Sequence, residues 1–479
     1  MKTVFEASRE VPVLYDTDVV VIGGGPAGIG AALASARNGA KTVLVEKYGC
    51  LGGNQTLTHN DNYTFVDDRI QGGIVQEIID RLKQNKATFN SSVGCLRDNW
   101  SVGTGCIYFD EEYYKLMLEE MMEEAGVTLV YHASATKGIA EGNSLKGIFI
   151  ETHEGRQAIL AETVIDCTGI AHIAWQSGAA VTGEEGYPDD RFGPFKGMHM
   201  GFGYGFWMCG VDYKKFREFA EQNVDEWDYW VKGRKLFLQE KEAGRLYTPR
   251  NSTLMIEYAN GRCWFIGAYQ PIEKGSHPWM EKDLSDAEVD MRKQAWSIWE
   301  AFRNNVLGFE HSKIEQTPIR LLLRDGHRIV GEYTITDEDM KSAKTFDDAI
   351  ACCNMPQDPF FPNASHRFIY NITPYDIPYR SMVSKDFDNL LAAGGSASMD
   401  LVTWAALRYC TPSICTGQAA GTAAALPKKL GTTVKDIDVK LVQDALHEQG
   451  MITTNKQLSP EVVEEYKLRT KTWNRGLKL

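Results

Sequence analysis

The sequence predicts an α/β fold: a parallel sheet extended by a β-meander, with an α+β unit inserted between its two parts. Three observations predict it. The apolar run Asp18-Val-Val-Val-Ile22 passes directly into Gly23-Gly24-Gly25-Pro26-Ala27-Gly28 and then into an alanine-rich stretch. A second run, Glu162-Thr-Val-Ile-Asp166, ends in Cys167-Thr168-Gly169. A third ends at Ala393-Gly394-Gly395, far down the chain, before another helix rich in alanine and glycine. Short, continuous apolar runs rich in β-branched residues mark strands buried on both faces.

The elements follow in order. Asp18 to Ile22 reads as a strand, Ile29 to Asn38 as a helix stopped by Gly39, and Lys41 to Val45 as a second strand with Glu46 at its end. The spacing has a physical reason. Gly23 permits the tight turn, Gly25 lets the backbone approach a pyrophosphate, and Gly28 lets helix and strand pack closely. Pro26 and Ala27 belong to this turn and are expected at the cofactor, whose phosphate sits at the helix N-terminus, where free N–H groups and the dipole favour an anion. The Glu46 carboxylate can accept both hydroxyls of an adenosine ribose, and it disfavours the extra phosphate of NADP. Strand, turn, helix, strand and acid together form a Rossmann-type dinucleotide fingerprint, which serves NAD and FAD alike.

A β-meander is expected from Val127 to Ala133, Leu145 to Thr152 and Gln157 to Asp166. Residues 171 to 370 differ in composition, with many aromatics (Phe202, Tyr204, Trp207, Trp227, Tyr229 and Trp230 among them). There, Ser252–Glu257 and Arg262–Ala268 flank Asn260-Gly261, a hairpin signal. Asp212 to Ala243 and Asp286 to Val306 read as mainly helical, and Asp337 to Ala351 as an acidic helix. Gly201-Phe-Gly-Tyr-Gly-Phe-Trp207 reads as a closely packed strand or as an aromatic wall. A strand at Asp388–Gly395 precedes a helix from Thr411, with Thr411 as N-cap and Pro412 at its first position. The expected units are 1–170 and 371–430 for the two parts of the nucleotide domain, 171–370 for the inserted substrate domain, and 431–479 for a C-terminal helical extension.

The segments VVVIGGGPAGIGAALASARNGAKTVLVEKYGCLGG, VIDCTG, and YDIPYRSMV with DNLLAAGG and GQAAGTAAAL occur in this order. In this they resemble FAD-dependent oxidoreductases of the glutathione-reductase-like superfamily. The group concerned carries GFLGG after the ribose acid and GQAAGTAAA near the end, and is similar to fumarate-reductase-like flavoproteins. The resemblance implies FAD as cofactor. It implies that Lys47, Gly52, Gly53, Asn54, Gln55 and Thr56 run from the adenosine towards the flavin. It further implies cofactor contacts at Thr168, Gly169, Gly394, Gly395, Gly417 and Gln418, with the last helix directed at the flavin ring. The chain departs from the pattern twice. Thr168-Gly169-Ile170 stands where Thr-Gly-Asp is usual, and Ala393-Gly394-Gly395 where Ala-Gly-Arg is usual. The arginine before the last helix persists as Arg408.

The expected activity is hydride movement between flavin N5 and a small anionic or aromatic substrate, as dehydrogenation or as reduction of an activated C=C. An electron-carrier subunit and a flavin monooxygenase are the alternatives. His59 is the catalytic candidate near the ring, as general acid/base, as covalent flavin attachment point, or as a pocket-lining residue. Arg324, Arg380 and Arg408 are candidates to hold an anionic group. For Arg324 and Arg328, surface salt bridges are the alternative. No second GxGxxG is present, and Cys50 lacks a cysteine five residues on, so a disulfide-reductase arrangement is not expected. Electrons then pass to a partner protein, a quinone or oxygen, and a homo-oligomer is compatible with this.

A net charge of −13 speaks against nucleic-acid binding and against an anionic membrane surface. No run approaches the roughly 20 apolar residues of a membrane span. The N-terminus lacks the apolar core of a signal peptide, so the expected location is cytoplasmic. The ten cysteines show no CxxC spacing, so reduced, buried thiols are expected rather than a metal site.

Overall fold

The computed structural model describes residues 2–89, 106–188, 190–227, 231–361 and 371–476. Tyr229, Trp230 and the boundary drawn at 370 lie outside them. Among the described residues the central sheet has seven strands. Thr128–Val130, Thr42–Val45, Val13–Ile22 and Gly155–Asp166 lie side by side and parallel, and Leu390–Ala392 joins the last of these. Four valine and isoleucine side chains of the first strand are fully or nearly fully buried, which is why its sequence shows no alternation. Gly155–Asp166 does two jobs. Its first half pairs antiparallel with Ser144–Thr152, and its second half pairs parallel with Leu390–Ala392.

The register aligns the strand ends. Ile22 sits opposite Val45 and Asp166, Asp166 opposite Ala392, and Val45 opposite Val130. The loops that follow these strands therefore leave the sheet at one level, at the carboxyl edge where ligands of open α/β sheets bind.

The first strand of the meander is Ser134–Glu141, not Val127–Ala133. Thr128–Val130 instead adds a parallel strand beside Thr42–Val45, because it follows the crossover helix Glu111–Ala125. The insert carries a second, antiparallel sheet in the order Val231–Lys232, Thr253–Glu257, Cys263–Ile272, His199–Cys209, Lys313–Gln316. The Asn-Gly hairpin is present, with Asn260 and Gly261 both left-handed. Helix Glu281–Asn305 covers this sheet with Ala287, Met291, Ala295, Ile298 and Phe302, a helical stripe of period near 3.6. Helices also form at Tyr213–Gln222 and Arg234–Glu242.

The acidic helix is only Asp337–Lys341. Ala343 turns left-handed after it, and Ala349–Cys353 is a buried strand. Cys352 and Cys353 are free, buried thiols. The last glycine-rich helix runs Cys410–Ala424 with Tyr409 as N-cap. Thr411 and Pro412 thus lie inside its first turn rather than at its cap. No described helix is long and apolar enough to cross a membrane.

Candidate functional site

The aligned strand ends open onto a cleft that holds about 690 Å³, its open mouth included. Gly25, Pro26 and Ala27 line one wall, Cys167 to Ile170 the floor, and Ala393, Gly395 and Trp404 another side. Two helix N-termini meet there: Pro26–Arg37 begins at Gly25, and Cys410–Ala424 contributes Cys410 and Ser413. Neither has a side-chain cap or an acid in its first turn. Their unpaired N–H groups and dipoles make the cleft a place for a bound anion.

Local packing explains the loops. A Cβ on Gly28 would stand 1.7 Å from the Gly23 carbonyl oxygen, so only glycine lets the helix start against the strand end. Glu46, 7% exposed, accepts from the Gly24 N–H at 2.6 Å and from the Tyr48 N–H at 2.9 Å. The Gly52 N–H reaches the Gly24 carbonyl, which presses the two glycine loops together. Asp166 is fully buried. It accepts from the Thr168 N–H and hydroxyl and from the Ala174 N–H, and so fixes Thr168-Gly169 at the floor.

The expected site residues divide. Gly25, Pro26, Ala27, Gly53, Asn54, Thr168, Gly169, Gly395 and Arg408 line the cleft. Gly23, Gly28, Glu46, Gly52 and Gly394 brace its walls. Lys47 is exposed beside it. Its pKa is lowered by crowding first and then by the Arg320 guanidinium, so two cations converge at the mouth. Gln55 and Thr56 face inward, on Tyr114 and the Leu51 carbonyl. Gly417 and Gln418 do not line the cleft. Gly417 packs on the Ala27 carbonyl, and Gln418 accepts from the Ile74 N–H at the start of helix Gly73–Gln84.

His59 is fully buried at a left-handed φ of 56°. Its Nδ1 lies 2.8 Å from Glu111 Oε2, its Nε2 has no partner, and its ring meets Trp207 edge-on. It is absent from the cleft lining. Arg380 lies at the surface, paired through Nε and Nη2 with Asp348, because the turn Tyr379–Ser381 sends Tyr379 inward and Arg380 outward. Arg324 and Arg328 are buried, 3% and 1% exposed; Arg324 forms no salt bridge among the described residues, whereas Arg328 Nη2 lies 3.8 Å from the half-exposed Glu185 carboxylate. Arg328 bonds to Asp325 and to the Gly326 carbonyl.

The sequence reading passed over Arg320, which lines the cleft and donates through Nη2 to Asn54 Oδ1 at 2.7 Å. It also passed over a buried group deeper in, made of Arg250, Asp358 and Phe360 with Arg324 and Arg408. The guanidinium of Arg324 lies 3.6 Å from the Phe360 ring centre, and that of Arg250 6.0 Å away. Arg408 Nη2 reaches Asp358 Oδ2 at 3.2 Å, and the Tyr409 hydroxyl donates to the same oxygen at 2.6 Å. Burial, then the charge of Arg408, pulls the Arg324 pKa down to about 9. No local pattern announces Arg250 or Asp358. Arg320 stands directly before the Leu321-Leu-Leu-Arg324 run, which was a usable signal. Among the described residues no cluster of three His, Cys, Asp or Glu is placed to hold a metal.

The arrangement fits FAD. Two uncapped helix N-termini suit a diphosphate, an acid brackets the second strand end, and a Cβ on Gly169 would meet only open space. The chain is 55% identical over 45 residues to dihydrolipoyl dehydrogenase of Trypanosoma brucei brucei, which is 9% of either chain. It is 28% identical over 169 residues to the tRNA uridine 5-carboxymethylaminomethyl modification enzyme MnmG of Wolinella succinogenes, 33% of this chain and 26% of that one. The matches thus span a small part of these curated relatives. A geranylgeranyl bacteriochlorophyll reductase-like protein of Thermoplasma acidophilum aligns over 94% of this chain and 96% of its own, at 11% identity and a TM-score of 0.45. The p-nitrophenol 4-monooxygenase of Pseudomonas putida DLL-E4 aligns over 90% and 84%, at 10% identity and a TM-score of 0.45. A family model described as FAD dependent oxidoreductase matches residues 18–446, every strand end and loop of the cleft included, and the chain belongs to that family, with FAD as its cofactor.

Proposed function

We propose that this protein exchanges a hydride between FAD and a small organic substrate that carries an anionic or aromatic group. One observation carries the reading: Arg408 lines the cleft and also belongs to the buried arginine group behind it. A molecule lying between the two would be held by charge at one end and face the cleft at the other. When bound, FAD supplies hydride exchange at its N5 atom.

The chain's own residues do the rest. The N–H groups of Gly25 and Ala27 and the cations Arg320 and Lys47 bind the diphosphate. Glu46 takes the ribose hydroxyls, Thr168 and Gly169 shape the floor, and Gly395 and Trp404 close one side. Arg324 and Arg408 hold the substrate.

His59 serves as a positioning residue. Its bond to Glu111 fixes the loop carrying Asn54, which in turn holds Arg320. His59→Asn suits the left-handed backbone and keeps a donor for Glu111. It should retain FAD affinity, whereas His59→Leu should weaken it several-fold. Unaltered FAD affinity in both variants, with turnover lost, would make His59 catalytic instead.

The overall reading is tested on the purified protein. Acid precipitation should leave a yellow supernatant, the mark of non-covalent FAD. After anaerobic photoreduction, a panel of enoates, with alcohols and amines for the oxidised form, should include a compound that changes the flavin spectrum. If none does, the substrate reading fails. Oxygen-dependent hydroxylation of a panel member would make the protein a monooxygenase.

A further inference from the structure

The buried arginine group has an imbalance of charge. Arg250, Arg324 and Arg408 supply three cations, and Asp358 is the carboxylate acting on Arg250 and Arg324 and paired with Arg408. Arg324 is 3% exposed. Among the described residues it makes no hydrogen bond or ion pair, its Nε has no partner, and its planar contact with Phe360 is a cation–π interaction. Arg408 Nε and Asp358 Oδ1 are likewise buried without partners. The neighbouring stretch 362–370 reads PNASHRFIY, which contains no acid. A buried guanidinium without an acceptor is costly, and proteins pair or neutralise such charges. No described residue supplies the pairing charge.

The backbone is shaped for this. Gly203 sits in the strand His199–Cys209, and a Cβ there would stand 2.8 Å from Arg324 Nη2. The glycine leaves the guanidinium room against the strand, with its flat face on Phe360 and its edge unpaired. Guanidinium edges match the oxygen spacing of carboxylate and phosphate.

We infer that Arg250, Arg324 and Arg408 form an internal receptor for a doubly charged oxyanion, supplied by a dicarboxylate or by a phosphate monoester group of the substrate. Two negative charges balance three cations and one carboxylate. As a statement about substrate, this rests on the reading of the cleft given above. As a statement about binding, it stands on the arginine group alone.

The test uses the FAD-loaded protein and isothermal calorimetry with succinate, inorganic phosphate and acetate. Succinate, phosphate or both should bind at least tenfold more tightly than acetate, and which one binds tells the two sources apart. Arg324→Met should weaken that binding 10- to 100-fold, and Arg324→Lys by less. Arg380→Gln, at the surface, should leave it unchanged. The proposal is overturned if no anion binds, if acetate binds equally well, or if Arg324→Met binds like the parent. It is also overturned if phosphate displaces FAD, because the cluster would then belong to the cofactor diphosphate. Photoreduction of the flavin is read in parallel. A protein that holds and reduces its flavin but ignores anions refutes this inference and leaves the redox reading standing. A protein without bound flavin refutes the latter.

Discussion

Glu46 shows how one residue serves two ends. Its position at the end of a strand marks it as a ribose acceptor, and in the structure it also receives the Gly24 and Tyr48 N–H groups. Glu46→Gln replaces one acceptor oxygen by a donor facing an N–H. We expect FAD affinity to fall about tenfold, roughly 1.4 kcal/mol, by flavin fluorescence titration. His327 allows a prediction about pH. It is fully buried between Trp279 and Trp175, with ring centres 3.9 and 4.5 Å away, and neither of its nitrogens has a hydrogen-bond partner among the described residues. Burial lowers its pKa from 6.5 to about 4, although Glu184 lies 3.6 Å away. Between these values the unfolded chain binds the extra proton. Its contribution to stability is therefore complete above pH 6.5 and lost as pH falls towards 4. The urea midpoint should drop over that window, and His327→Phe, which keeps the stack, should drop less. Residues of this kind were the least legible in the sequence. Glu46 stands at a fixed distance from a glycine motif, whereas Asp358 gains its meaning from Arg408 and Arg324, which only the fold brings near.

At the scale of elements, the helices Pro26–Arg37 and Cys410–Ala424 pack almost backbone to backbone. A Cβ on Gly421 would stand 2.0 Å from the Ala31 carbonyl oxygen, and one on Gly417 2.0 Å from that of Ala27. Gly421→Ala should destabilise the protein by about 1–3 kcal/mol, seen as a lower urea midpoint, and should weaken FAD binding by displacing an N-terminus that lines the cleft. The sequence made this helix readable through its small residues, yet assigned Gly417 and Gln418 to the cofactor rather than to the contact they make. Similarity of order identifies a helix but does not say which of its faces meets what. The strand His199–Cys209 follows the same logic, since its alternating glycines make room for Tyr269, Arg324 and Trp264. The misread acidic helix failed for a different reason. Asp339 is used in a capping box with Thr336, and the left-handed Ala343 ends the element, neither of which a charge pattern displays.

For the whole molecule, the cleft joins segments from both ends of the family match, Gly25 to Asn54 and Ala393 to Ser413, with Arg320 from the insert. A ligand that binds only the folded chain stabilises it by mass action, about 2.7 kcal/mol at a hundredfold excess over Kd. Removing FAD should thus lower the melting temperature by several degrees, and adding it back should restore the parent curve. The parallel strands ending at Ile22, Val45, Asp166 and Ala392 were legible because buried strands and glycine turns are local signals, whereas Thr128–Val130 was read as part of the meander. The joining of cleft to arginine group was not, because it depends on how the insert lies against the sheet. One feature bears on how the chain is made. Gly155–Asp166 pairs on one side of its carboxyl half with Leu390–Ala392, which a ribosome delivers only after the whole insert. Until then that edge of an apolar strand is open, and the cleft lacks the side formed by Gly395 and Trp404. The nascent chain therefore cannot capture its cofactor early, and its exposed edge is where premature association between chains would begin.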